Sequence, residues 1–151
     1  MIEISIKVDT SKFDRMMSDF PAAMARARTR ALKDIGQHVA SDATQAFRTA
    51  SLRPSPWAPR KPSKRDDGHP LLIRSGNMRQ SIRWELRGAD TVAIGTPTKY
   101  APFHQHGTKN MPARPFFPID RHGQLVPAMA SKVARTVERI YTEELGKLGE
   151  G

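Results

Sequence analysis

IRWELRGADTVAIGT, residues 82–96, alternates, turns and alternates again. Ile82, Trp84 and Leu86 fall on one side of the first run, and Arg83, Glu85 and Arg87 on the other. After Gly88-Ala89-Asp90, Val92 and Ile94 share a side once more. Successive strand residues point to opposite faces, so the pattern predicts a β-hairpin with one apolar face. That face needs a cover. The same two-residue period runs through Ile2-Glu3-Ile4-Ser5-Ile6-Lys7-Val8-Asp9, with β-branched residues on the apolar side, and predicts a third half-buried strand.

The cover is legible elsewhere in the chain. Met24, Ala27, Ala31, Ile35, Val39, Ala43 and Phe47 recur at helical spacing, while Arg26, Arg28, Arg30, Lys33 and Asp34 fall mostly off that stripe. With Pro21 suited to a first helical position, the spacing predicts a helix from about Pro21 to about Thr49, on the order of 40 Å long. Pro127 opens a second amphipathic helix carrying Met129, Val133, Val137, Ile140, Tyr141, Leu145 and Leu148, with Glu143 and Lys147 set to pair four residues apart. Phe13, Met16, Met17 and Phe20 suit a short helix or turn, and residues 75–81 a helical turn capped by Ser75. The sum is an α+β fold. An antiparallel sheet of about three to four strands carries a long N-terminal helix and a C-terminal helix on one face, in a single domain spanning 1–151.

Charge is unevenly placed. Of 25 Lys and Arg against 15 Asp and Glu, residues 51–121 hold thirteen against five, while residues 1–50 hold eight against six and residues 122–151 four against four. A basic middle of this kind favours a polyanion or an acidic protein face. Within it, residues 51–70 contain five prolines, scattered basic residues and Trp57, without strand or helix period. They read as an extended arm or loop whose tryptophan needs a surface to lie on, either the domain's own or a neighbour's. Arg53, Arg60, Lys61, Lys64 and Arg65 are its candidate contacts to DNA or to an acidic partner. No apolar run approaches the roughly 20 residues of a membrane span, the N-terminus does not read as a signal peptide, and synthesis in the cytoplasm is the expectation. With no cysteine there is neither a disulfide framework nor a thiolate metal site.

Catalytic patterns fail one by one. His104 and His106 would share a side on a strand, with His69 and His122 able to approach, but residues 91–119 contain no acid to act as base and no HExxH is present. Ser75 lacks a nucleophile elbow, Asp66-Asp67 sit among basic neighbours, and no phosphate-binding loop appears. The expectation is a protein without catalytic residues, metal or cofactor. Instead YAPFHQHGTKNMPARPFFP, residues 100–118, combines four aromatics and four prolines. Aromatic, Met and Arg side chains on a proline-stiffened segment suit a protein interface. Tyr100, Phe103, His104, Gln105, Gly107, Arg114, Phe116 and Phe117, with Trp57 from the arm, are the candidate interface residues. Arg114 reads as an anchor for an ion pair or a carbonyl. The alternative is a loop that folds back to cap the domain's own core with Phe116 and Phe117. Some of both is expected, since the two would point in opposite directions on an extended chain, one inward and one outward.

These pieces stand in a familiar order: W-A-P at 57–59, L-L-I-R-S-G-N-M-R-Q-S-I at 71–82, V-A-I-G-T at 92–96, then Y-A-P-F-H-Q-H-G-T and P-A-R-P-F-F. The order resembles the virion morphogenesis, or tail-completion, family of tailed bacteriophages, over most of residues 50–118. It is also similar to the neck and tail-joining proteins of long-tailed phages. His106 departs from that pattern, which has an aromatic or aliphatic residue at its position. The resemblance implies a structural protein of the virion neck or tail, working as a ring, commonly sixfold, that lets the tail join the head. Its implied partners are further copies of itself and adjoining neck, connector or tail-tube proteins, with no membrane. A basic accessory protein touching packaged DNA is the alternative.

Overall fold

A computed structural model describes residues 2–11, 20–62, 68, 70–73 and 76–148. The elements are β1 (Ile2–Lys7), α1 (Pro21–Gln45), a 3₁₀ turn at Ala50–Leu52, α2 (Asn77–Gln80), β2 (Arg83–Arg87), β3 (Thr91–Thr96), α3 (Ala101–His106) and α4 (Pro127–Leu148). The expected short helix around Phe13, Met16 and Met17 lies outside the described residues, and α2 is capped by Gly76 and not by Ser75.

The sheet is three-stranded and antiparallel in the order β1-β3-β2. Ile94 pairs with Ile4 on one side and Trp84 on the other, and Val92 with Ile6 and Leu86. This register sets every predicted apolar strand residue on one face, because a slip of one position would turn each of them outward. On the opposite face Arg87 reaches over β3 to Glu3 and also binds Glu85 at 2.9 Å. Such exposed pairs contribute little to stability.

The long helix lies across the apolar face and buries Met24, Ala27, Ala31, Ile35, Val39 and Ala43. Gly36 allows the close approach: a Cβ there would stand 2.8 Å from both Trp84 and Val92. The stripe's regular helix stops at Gln45, short of the expected Thr49, yet Phe47 is still buried in the turn beyond it. α4 packs along α1. Ala23, Met24, Ala27 and Ala31 meet Ile140 and Tyr141 at one end of this seam, while Met129 joins the sheet core at the other. Along the seam run Arg139 to Asp34 at 3.1 Å, Lys132 to Asp42 at 3.0 Å, and Arg30 to Glu143 and Glu144. The expected Glu143–Lys147 pair is replaced. Lys147 binds Glu144 at 3.1 Å, because Glu143 is already taken by Arg30 and Arg139. The architecture is α+β, a three-stranded antiparallel sheet with an N-terminal and a C-terminal helix.

Candidate functional site

The arm and the 100–118 segment come together on the body. The chain after β3 does not stay extended. Pro102, near the start of α3, suits a first helical turn, and α3 then runs only to His106. Helical spacing turns Ala101 and Gln105 inward together and leaves Tyr100 and Phe103 outward. Gly107 ends the helix at φ 74°, and a Cβ there would lie 2.7 Å from the Ala113 nitrogen, so the returning chain passes where a side chain would be. The return is fixed by Thr108 N–H to the Met111 carbonyl at 2.9 Å and by Arg114 N–H to the His104 carbonyl at 2.7 Å.

Gln105 then clamps the Phe116–Phe117 backbone. Its Oε1 accepts the N–H groups of both residues, each at 3.0 Å, and its Nε2 donates to the Phe117 carbonyl at 3.2 Å. With the backbone turned in this way, both phenyl rings enter the core. Phe116 and Phe117 are each 0 % exposed, their rings 4.7 Å apart, with Phe116 also 5.0 Å from Phe47. This corrects the expectation that one of the two would face outward: neither offers surface to a partner. Gln105 and Gly107 likewise serve the loop's own backbone.

The arm is fastened to the same place. Trp57 packs edge-on against Phe47 at 6.0 Å and donates its Nε1–H to the Pro115 carbonyl at 2.7 Å. Arg114 donates to the carbonyls of Ala58 at 2.9 Å and Pro59 at 3.2 Å. Arg53 stacks 3.8 Å over the Trp57 ring and donates to the carbonyls of Ala46 and Phe47, just past the end of α1. A cation that satisfies terminal helix carbonyls also opposes the helix dipole, which is why a basic residue fits there. Arg53 is therefore no free contact for DNA; its guanidinium is engaged within the subunit. Arg60 is half-buried, Lys61 is exposed, and Lys64 and Arg65 lie outside the described residues.

The surface left for a partner is narrower than the sequence implied. Tyr100 and Phe103 are 45 % and 54 % exposed, at the N-cap and in the first turn of the short helix α3. A depression of about 590 Å³ opens between Pro54, His106, Pro115 and Arg121. His104 lies half-buried beneath Tyr100, the rings 5.9 Å apart, with its Nδ1 buried and without a hydrogen-bond partner. Burial, and secondarily the positive Arg114, hold its pKa below the usual 6.5. The unfolded chain therefore takes up a proton that the folded chain resists, so stability is full above pH 6.5 and falls as pH drops toward the lower folded value. In urea titrations, wild type is expected to lose stability relative to His104→Gln between pH 7 and 5, with no such difference above pH 7. Parallel pH profiles would remove His104 as a sensor.

His104 and His106 lie on a helix and not on a strand, so the shared side expected of the pair does not exist. Among the described residues, no cluster of three or more His, Cys, Asp or Glu is arranged to hold a metal ion. Nor is any described helix long and apolar enough to cross a membrane. Gln105 is legible in the sequence only as one polar letter among aromatics; its clamp depends on a chain reversal that no local pattern encodes.

No curated protein and no solved structure matches the chain. A family model, that of the phage virion morphogenesis family, matches residues 8–137. That span covers the long helix, the arm, the hairpin, the clamped loop and the first half of α4. The chain belongs to the phage virion morphogenesis family.

Proposed function

We propose that this protein completes the tail or neck of a tailed phage, as a subunit of a ring, sixfold by the family resemblance, at the head-proximal end of the tail. The observation that carries the reading is the exposed pair Tyr100 and Phe103, presented on an internally fastened loop in a chain whose family builds virions. A preordered loop loses little entropy on docking, which suits a joint that must form once and hold. Arm and loop brace each other first, and the surface they frame meets the neighbour.

Electron microscopy of a lysate from phage lacking this gene tests the role. Full heads and separate tails are expected, restored to whole virions by adding purified protein; normally joined particles would overturn it. Tyr100→Ser with Phe103→Ser should stay folded, with stability within about 0.5 kcal/mol of wild type. Restoration by this variant is expected to fall at least tenfold, and full restoration would place the docking surface elsewhere. The DNA-contacting alternative gains support only if the wild-type protein binds duplex DNA in low salt and releases it as salt rises.

A further inference from the structure

We infer that the face carrying Tyr100 and Phe103 is made for a carboxylate-rich surface of a different virion protein, and not for a second copy of this chain; the inference rests on the assembly role proposed above. Residues 91–119 contain no acid, and Lys99 and Lys109 flank α3, both exposed, with Lys61 where the arm leaves Pro59. None of the three lysines has an ion-pair partner among the described residues. The next carboxylate along the chain, Asp120, is turned to its own loop. Its Oδ1 accepts the N–H groups of His122 at 2.8 Å and Gln124 at 3.0 Å.

Among its described residues, a second copy has little to offer this face. On the outer side of the sheet, Glu3 and Glu85 are bound to Arg87, and Asp90 to Lys7. Along the α1–α4 seam, Asp34, Asp42, Glu143 and Glu144 are bound in the same way. Among the described residues, Glu138 and Asp9 are further exposed acids. With these described acids paired inside the subunit and the chain carrying a net charge of +10, the basic middle is better complemented by a different molecule than by a second copy. Nucleic acid would also supply negative charge, but the fit is poorer. Arg53 and Arg114, the side chains suited to gripping phosphates, spend their guanidinium groups on backbone carbonyls. Phe103 gains free energy only by entering an apolar recess, which a protein surface provides at the centre of an interface.

Carbodiimide joins a lysine amine directly to a carboxylate, and its products in whole phage particles are identified by mass spectrometry. Lys99 or Lys109 is expected to link to Asp or Glu of another virion protein. Lys99→Glu with Lys109→Glu should lower incorporation into particles at least tenfold, while sedimentation shows the free protein assembling as wild type does. Links to a second copy of this chain, a changed assembly size or normal incorporation would each overturn the inference. Loss of duplex DNA binding on removing the two lysines would overturn it in favour of nucleic acid. Absence of the chain from particles would sink the assembly role itself, and this inference with it.

Discussion

Gln105→Leu is expected to destabilise the fold by about 3–5 kcal/mol. Leucine keeps the volume but leaves the N–H groups of Phe116 and Phe117 without an acceptor in a buried place. Each orphaned donor costs about 1–3 kcal/mol, because burial removes the water that would otherwise replace the lost bond. The Phe117 carbonyl suffers less, since Ile119 N–H also reaches it at 2.8 Å. Gln105→Glu retains an acceptor for both donors and should lose less than leucine does. Urea unfolding of the three proteins at pH 7 measures this. A cost below about 1 kcal/mol for leucine would mean that something other than the clamp sets the path of the loop.

Phe116→Ala should cost about 3–5 kcal/mol, by leaving a cavity where the ring packs between Phe47 and Phe117. For a domain of this size that is a large share of the usual stability of about 5–15 kcal/mol. The loss should appear as a lower unfolding midpoint of the isolated protein, before any partner is present. It thereby separates the buried aromatics from Phe103, whose replacement should leave the midpoint nearly unmoved. A Phe116→Ala protein with wild-type stability that still failed to join heads and tails would return Phe116 to the docking surface.

The regular elements are legible because each depends on a local period. Ile2 through Val8 and the hairpin at 82–96 announce their faces by alternation, and the α1 stripe announces its own by three- and four-residue spacing. The 100–118 segment has no period to read. Its two phenylalanines turn inward together only because Gln105, eleven residues earlier than Phe116, captures their backbone. Trp57 and Arg53 are visible as an odd tryptophan and one more basic letter. Their use as a strap and a helix-end cation depends on where Phe47 leaves the end of α1 and on Pro115 arriving from 58 residues beyond Trp57. Sequence and structure part at the residues fixed by long-range backbone capture. Tyr100 and Phe103 are exposed in the structure, which leaves them available for the docking proposed above.

The sheet order also has a consequence in time. β1 leaves the ribosome well before β3, its strand neighbour among the described residues, with Ile2 opposite Thr96. At roughly 5–20 residues per second of synthesis, β1 and the apolar stripe of α1 wait several seconds before a sheet exists to receive them. Closing that pair means closing a loop of most of the chain, which is slow and leaves the greasy face of the helix open to other molecules meanwhile. α4, made later still, then shields the end of α1 that the sheet does not reach. A truncated chain lacking α4 would expose Ala23, Met24 and Ala27, and aggregation would be its natural fate.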